Sequence, residues 1–350
     1  MEIVASWPSR TPLRDVAAWS RRVEALGFDV MHVPETVHDP FVVSALAAAA
    51  TQRLVVRTSM VVAFPRSPMV TALAAWDVAA LSGGRFHLGI ASQVRGNIVG
   101  RFSTEWSEPA ARLADYLRSL RAIFGAFTSG GGLSYEGTHY RFDRLQPYFD
   151  PGPLDVPAPL LWSGGVNRRM CEVAGELADG FVCHPTNSHP RVMDSVLLPA
   201  LATGIERADR TDGGPRLVAN PQPLVGATRV ELDAARPGRR RELAFLYSTP
   251  AYRRQLEVFG RGDLGEALSA AAKAEDWGRL ESLFDDSVLD EVLVAGTYDE
   301  IPEALADRYA GRCDGLVLSV PESDAHDQEV GAMVAACRTI PPRQSSSAAS

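Results

Sequence analysis

A helix-capping residue followed by proline recurs at an interval of about 28 residues near the start of this chain. The pairs are Thr11-Pro12, Asp39-Pro40 and Ser67-Pro68, and in each the proline suits the first turn of a helix. Each pair follows an apolar run and precedes a helical pattern. Eight βα units of this length, together with insertions, make a chain of 350 residues, so the interval predicts an α/β fold, the (βα)8 TIM barrel.

The segment from residue 54 to residue 93 shows one such unit in full. Residues 54–62 are mostly small and β-branched, which predicts a strand buried on both faces of a parallel sheet. A helix is predicted from Pro68 to Ser82, where Gly83-Gly84 ends it. Residues 85–90 then form a second predicted strand. The segment is therefore a strand, helix, strand unit of the kind that builds parallel sheets.

Eight apolar segments account for the strands of the predicted barrel. They are residues 3–5, 30–33, 54–62, 85–90, 159–163, 178–184, 217–225 and 314–320. The predicted insertions follow the fourth strand, precede the fifth and follow the seventh, where residues 233–287 form a helical cover or a subunit contact. A doubly wound open sheet is the main alternative, but residues 6–10 lack the glycine-rich turn that would bind a dinucleotide there.

The composition is that of an ordinary globular protein, with 46% hydrophobic and 22% charged residues. We expect one domain over residues 1–340 and a disordered tail over residues 341–350. No membrane-spanning run or signal peptide is evident, and the four cysteines show no close pairing, so we expect a cytoplasmic protein with reduced thiols. The net charge of −8 argues against nucleic acid as a partner. No His-x-His motif follows the first strand, and we predict no metal site.

Four segments in this order resemble the bacterial luciferase-like superfamily of flavin and deazaflavin oxidoreductases. They are Arg66-Ser67-Pro68, residues 81–90, residues 174–180 and residues 294–301. The resemblance covers nearly the whole chain and implies a TIM barrel, in agreement with the interval. Glu35, the segment that begins with His38, and the segment that begins with Ser92-Gln93 most resemble the branch that uses coenzyme F420. Dimers through barrel helices are common in this superfamily, so the resemblance also implies a homodimer.

The resemblance implies a cofactor site at the carboxyl ends of the strands. A cis peptide bond without proline, expected between Ser59 and Met60, would support the back of the cofactor ring. Ser163-Gly164-Gly165 matches the turn that holds the cofactor phosphate, where glycine admits a close approach and the following helix favours an anion. Further hydrogen-bond donors to the cofactor would be Asn167, Arg168, Arg66 and Arg95.

The proton donor departs from the pattern of this branch. Deazaflavin relatives often carry Asp-His after the second strand, where this chain has Glu35-Thr36, and many carry glutamate where it has Gln93. Glutamine cannot act as a general acid, so Glu35, His32 or His38 would handle the proton, or it would come from water. We expect Glu35 to do so, because a carboxyl group in a partly dry barrel mouth can hold a proton at neutral pH.

Three functions remain open from the sequence. The first is hydride transfer between coenzyme F420 and a small organic substrate. The second is oxygen-dependent monooxygenation with reduced FMN in the same fold, and the third is a barrel without catalysis that acts as a binding protein. His184 follows the sixth strand, where it either faces a pocket or has a structural role.

Overall fold

The computed structural model describes residues 1–343 and shows a closed parallel barrel. The strands are β1 (Glu2–Ser6), β2 (Val30–Val33), β3 (Val55–Thr58), β4 (Val61–Val62), β5 (Phe86–Ala91), β6 (Tyr135–Glu136), β7 (Arg141–Phe142), β8 (Leu161–Ser163), β9 (Gly180–Val182), β10 (Arg216–Ala219), β11 (Leu224–Gly226), β12 (Ala295–Thr297) and β13 (Gly315–Leu318). The barrel order is β3-β2-β1-β13-β10-β9-β8-β5, and β5 pairs with β3 to close it. The predicted (βα)8 TIM barrel is confirmed.

Helices surround the barrel and extend it at one end. They are α1 (Val16–Ala25), α2 (Pro40–Ala50), α3 (Pro68–Ser82), α4 (Arg95–Gly100), α5 (Pro109–Ser129), α6 (Arg168–Leu177), α7 (Pro190–Val192), α8 (Leu198–Arg207), α9 (Arg229–Ser248), α10 (Gly262–Lys273), α11 (Trp277–Leu283), α12 (Asp286–Val292), α13 (Ile301–Tyr309) and α14 (Asp327–Arg338). The hairpin of β6 and β7 forms the predicted insertion before the fifth barrel strand.

Two of the three predicted capping pairs begin a helix as expected. The Asp39 carboxylate accepts hydrogen bonds from the Phe41 and Val42 amides at the start of α2. The Ser67 hydroxyl accepts one from the Val70 amide at the start of α3. Thr11 is the exception, because its side chain caps no helix and the chain enters α1 through a 3-10 turn at Leu13–Asp15.

The third predicted strand is divided rather than continuous. The peptide bond between Ser59 and Met60 is cis and separates β3 from β4. The Thr58 hydroxyl accepts a hydrogen bond from the Gly89 amide at 2.8 Å and donates one to the Gly89 carbonyl oxygen at 2.9 Å. Thr58 thus takes over ladder positions that a straight strand would fill with main-chain groups. A Cβ atom on Gly89 would lie 1.9 Å from the Thr58 carbonyl oxygen, so this contact requires glycine.

The seventh predicted strand is also shorter than expected. It ends at Ala219, and the Asn-Pro-Gln-Pro segment that follows interrupts it because proline has no amide hydrogen for the ladder. The chain resumes as β11, which pairs in parallel with β12 in a separate two-stranded sheet.

The insertion after β11 has an apolar core of its own. Its four helices, α9 to α12, bury a cluster of apolar side chains apart from the barrel core: Leu232, Leu243, Ala244, Tyr247, Leu256, Phe259, Leu268, Ala271, Leu280, Phe284, Val288 and Leu289. One face of α9 contributes side chains to a cavity at the barrel mouth. The excursion predicted from residue 233 is therefore a helical cover, as one of its two interpretations proposed.

The last described residues are attached to the barrel. The Gly311 amide donates to the Pro341 carbonyl at 2.9 Å, and the Arg343 amide donates to the Cys313 carbonyl at 2.9 Å. The expectation of disorder from residue 341 is thus corrected for residues 341–343, and the remainder of the predicted tail lies outside the described residues. None of the helices within residues 1–343 is both long enough and apolar enough to cross a membrane.

Candidate active site

A cavity of about 900 Å³ opens at the carboxyl ends of the barrel strands. Its floor includes Met60, Val182 and Val317, which come from three different barrel strands or their ends. Trp106 lies on one wall, and Tyr252 closes the side beneath the helical cover. Loops at this end of a TIM barrel carry the active site in essentially every characterised enzyme of the fold. The cavity is therefore the candidate active site.

The Ser59–Met60 segment forms a bulge that faces the cavity. Both residues line it, and the cis peptide bond between them is the one implied by the resemblance. A Cβ atom on Gly164 would lie 3.2 Å from Met60 Cε and 3.1 Å from the Val182 carbonyl oxygen. Gly164 is thus packed against the floor, and its lack of a side chain leaves this part of the cavity open.

The glycine turn leads directly into α6. Gly164 and Gly165 line the cavity, and a Cβ atom on Gly165 would lie 2.5 Å from Met170 Cβ. Asn167 lines the cavity as well and caps α6 by accepting a hydrogen bond from the Met170 amide at 3.0 Å. The first amides of a helix have no internal acceptors and carry partial positive charge, so this end of α6 suits a phosphate group.

Two residues that were predicted beside this turn point elsewhere. Ser163 is fully buried, and its hydroxyl donates to the Ile90 carbonyl at 3.2 Å, so it joins β8 to β5. Arg168 is solvent-exposed and pairs with Glu172 at 2.9 Å along α6. Arg168 does not line the cavity in this structure, and its contact with the cofactor stays a prediction.

Glu35 and Arg66 bind each other. Arg66 Nη1 donates to Glu35 Oε1 at 2.7 Å, and Arg66 Nη2 donates to Asp39 at 2.9 Å. The other Glu35 oxygen accepts a hydrogen bond from the Val62 amide at 2.7 Å. Both oxygens of Glu35 therefore accept hydrogen bonds from the protein itself. Glu35 thus connects the Arg66 guanidinium to the main chain just after the Ser59–Met60 peptide bond, and the contact of Arg66 with a cofactor stays a prediction.

Gln93 and Arg95 line the cavity after the end of β5. Gln93 has a φ of 61°, which is uncommon outside glycine, and its side-chain oxygen accepts a hydrogen bond from the Val94 amide at 2.9 Å. The amide nitrogen of Gln93 is then the part available to a ligand. Arg95 begins α4 and lines the cavity, where its guanidinium can meet an anionic group.

The histidines near the cavity are neutral or lie outside it. Burial, with a further contribution from Arg57, lowers the pKa of His32 well below its ordinary value. Burial also lowers the pKa of His184 to about 4. His38 lies outside the cavity with Nε2 3.2 Å from the Thr11 carbonyl. Neither His32 nor His38 is therefore placed to supply a proton at neutral pH.

The cover adds cavity residues that the sequence analysis did not identify. Arg239, Glu242, Leu243 and Leu246 project from α9 at the spacing of one helix face, and Arg239 pairs with Glu242 at 3.1 Å. That spacing is visible in the sequence, but nothing in it shows that this face meets the barrel mouth. Among residues 1–343, no group of three or more His, Cys, Asp or Glu side chains could hold a metal ion.

Comparison with known proteins agrees with this architecture. The model of the luciferase-like monooxygenase family matches residues 3–314. An uncharacterised protein of Mycobacterium tuberculosis is 38% identical over 295 residues, which cover 84% of this chain and 85% of that protein. An F420-dependent glucose-6-phosphate dehydrogenase of Intrasporangium calvum is 31% identical over 211 residues, covering 57% of this chain and 61% of the dehydrogenase.

A solved structure has the same fold over almost the whole chain. Coenzyme F420-dependent tetrahydromethanopterin reductase from Methanopyrus kandleri matches with a TM-score of 0.75 at 18% identity, and the match covers 95% of this chain and 97% of that enzyme. With the cavity, the glycine turn and the bulge all at the carboxyl end of the barrel, this protein belongs to the luciferase-like monooxygenase family and is an oxidoreductase.

Proposed function

We propose that this protein is a coenzyme F420-dependent oxidoreductase that transfers a hydride between the deazaflavin and a small organic substrate. The observation that carries the proposal is the arrangement of the Ser59–Met60 bulge and the Gly164-Gly165 turn around one cavity. A planar ring system with a phosphate-bearing side chain would contact both at once. The similarity to an F420-dependent dehydrogenase supports the deazaflavin over other flavin-like cofactors.

The residues present fit such a cofactor. Met60 and the bulge would support one face of the ring, while the N-terminal end of α6 and Arg95 would bind its anionic groups. Leu243, Leu246 and Tyr252 line the cavity and would pack against the ring or the substrate. The bound deazaflavin would supply the hydride chemistry, and the protein would orient the substrate against it.

The proton that accompanies the hydride would come from water. Both oxygens of Glu35 already accept hydrogen bonds, from Arg66 and from the Val62 amide, and burial lowers the pKa of His32 well below its ordinary value. Gln93 cannot exchange a proton in this role. Water that reaches the open side of the cavity is then the simplest donor, one of the sources that the sequence analysis left open.

Monooxygenation with reduced FMN is the second candidate. The family model is that of luciferase-like monooxygenases, and the same turn and bulge would accept the ring and phosphate of FMN. Loss of catalysis is less well supported, because a barrel that had lost its cofactor would not need to keep the glycine turn at the cavity.

Equilibrium titration with the two cofactors tests the proposed function. We expect coenzyme F420 to bind at least about tenfold more tightly than FMN, a difference of about 1.4 kcal/mol. Binding of coenzyme F420 is followed by deazaflavin fluorescence, and binding of both cofactors is measured by calorimetry. Tighter binding of FMN, together with oxygen consumption when reduced FMN is supplied, would favour the monooxygenase. Absence of binding by either would support the non-catalytic alternative.

We further propose that the protein forms a homodimer through α2 and α3. Helix α2 contains no charged residue, and α3 contains only Asp77. These adjacent helices nevertheless expose several large apolar side chains, namely Val42, Leu46, Val70, Leu73 and Leu81. Helices that are apolar on every side are usually buried. In a homodimer with twofold symmetry, the same apolar surface of the second copy would cover this one, and no charged partner would be needed.

Replacing Leu46 and Leu73 together by glutamate should convert the dimer to a monomer. The two carboxylates would be buried in the proposed interface, whereas both positions tolerate a polar residue in the isolated chain because they are partly exposed. Sedimentation should give twice the chain mass of 37.8 kDa for the unmodified protein and the chain mass for the variant. Val230→Glu, at an exposed position on α9, is the matched control. A monomeric unmodified protein would refute this interface.

A further inference from the structure

His184 faces the candidate active site but has no role in the function proposed above. It follows β9 and lines the cavity two residues beyond Val182, which forms part of the floor. Its Nδ1 lies 2.9 Å from the Thr186 hydroxyl and 3.4 Å from the Thr186 amide nitrogen. An amide N–H can only donate, so Nδ1 is an acceptor and Nε2 carries the ring hydrogen.

The ring of His184 is held in one orientation. It packs against Tyr252 with a centroid distance of 4.1 Å and an angle of 30° between the planes. Burial lowers the pKa of His184 to about 4, so the ring is neutral at physiological pH. No acceptor for Nε2 is found among residues 1–343. His184 therefore offers the cavity a fixed and uncharged hydrogen-bond donor.

Asn220 stands beside His184 at the end of the neighbouring strand. The Ser188 hydroxyl connects the two residues. It donates a hydrogen bond to the His184 main-chain carbonyl at 3.1 Å and accepts one from the Asn220 main-chain amide at 2.8 Å. Asn220 also lines the cavity, and its side-chain oxygen is buried with no hydrogen-bond partner in the described part of the chain. A buried acceptor without a partner is unfavourable, and a ligand N–H or O–H would satisfy it.

We propose, on the basis of the function proposed above, that His184 and Asn220 recognise an uncharged polar group of the substrate. The group would accept a hydrogen bond from His184 Nε2 and donate one to the Asn220 side-chain oxygen. A carboxamide or a lactam meets both requirements. A carboxylate has no hydrogen for Asn220, and an ammonium group has no lone pair for His184, so both charged groups would leave one partner unsatisfied.

Titration of the cofactor-free protein with three cyclohexane derivatives of similar shape tests this site. The probes are cyclohexanecarboxamide, cyclohexanecarboxylate and cyclohexylammonium, followed by the ¹⁵N resonances of the histidine rings. We expect the carboxamide to shift the Nε2 resonance of His184 and to bind at least about tenfold more tightly than either charged probe. His184→Phe should weaken carboxamide binding by about tenfold or more and leave the titration with coenzyme F420 unchanged.

His189→Phe is the matched control. His189 is also neutral because of burial, its Nδ1 accepts from the Arg191 amide, and its ring packs on Phe259, away from the cavity floor. This variant should bind all three probes as the unmodified protein does. Equal binding of the carboxamide by His184→Phe, or equal binding of the charged probes by the unmodified protein, would overturn the proposal.

The result also separates this inference from the cofactor assignment. If His184→Phe lost affinity for coenzyme F420 while keeping carboxamide binding, His184 would belong to the cofactor site and the proposal would be overturned. If the unmodified protein bound neither F420 nor FMN, the proposed function would fail. The probe titrations would still report on the recognition site, because they contain no cofactor.

Discussion

Replacing Gly164 by valine should weaken the binding of coenzyme F420 by about 100-fold or more, equivalent to about 2.8 kcal/mol. Even a single Cβ atom at this position would lie 3.1 Å from the Val182 carbonyl oxygen and 3.2 Å from Met60 Cε. The two further methyl groups of valine would then occupy the floor of the cavity, beneath the bulge. The measurement is a fluorescence titration of each variant with F420.

A graded series makes the Gly164 result specific. Gly164→Ala should show an intermediate loss, because it adds the Cβ atom alone. Gly100→Val is the matched control, since a Cβ atom there would meet no heavy atom within 4 Å. Thermal unfolding, followed by circular dichroism, should confirm that each variant is folded. Wild-type affinity in folded Gly164→Val would show that the cofactor does not occupy this floor.

Replacing Glu2 by glutamine should lower the free energy of unfolding by about 3 kcal/mol. Glu2 accepts a hydrogen bond at 3.0 Å from Arg57, whose guanidinium is fully buried inside the barrel. The Arg57 guanidinium also lies 3.2 Å from His32 Nε2 and 3.4 Å from the centroid of the Trp162 ring, neither of which carries a negative charge. Burial lowers the pKa of Arg57 to about 10, and loss of Glu2 would remove the charge that offsets this burial.

The two arginine partners of Glu2 should contribute unequally to the free energy of unfolding, measured by urea denaturation. Arg216 pairs with Glu2 at 3.1 Å but is half-exposed, so Arg216→Gln should cost no more than about 1 kcal/mol. Arg57→Met combined with Glu2→Gln should recover most of the stability, because removal of a whole buried pair is often close to neutral. If Glu2→Gln cost no more than Arg216→Gln, the buried pair would not contribute as argued.

The site could be anticipated from the sequence where chemistry depends on local geometry. The glycine turn is an example. Glycine just before a helix lets an anion approach the main chain closely, and this depends only on neighbouring residues. The resemblance located the Ser59–Met60 bulge. The ion pairs of Arg66 and Arg168 could not be anticipated in this way, since each guanidinium has several carboxylates within reach along the chain and only the folded chain selects one.

The sequence by itself determined the barrel. The interval between capping pairs, the apolar strands and the helix faces are local properties, and eight such units have few other ways to bury their apolar surfaces. The tertiary structure alone decided which polar groups meet. Register turns Arg57 towards Glu2 inside the barrel, folding brings the α9 face over the mouth, and Ser188 joins His184 to Asn220. These contacts depend on distances between residues far apart in the chain, which no local pattern encodes.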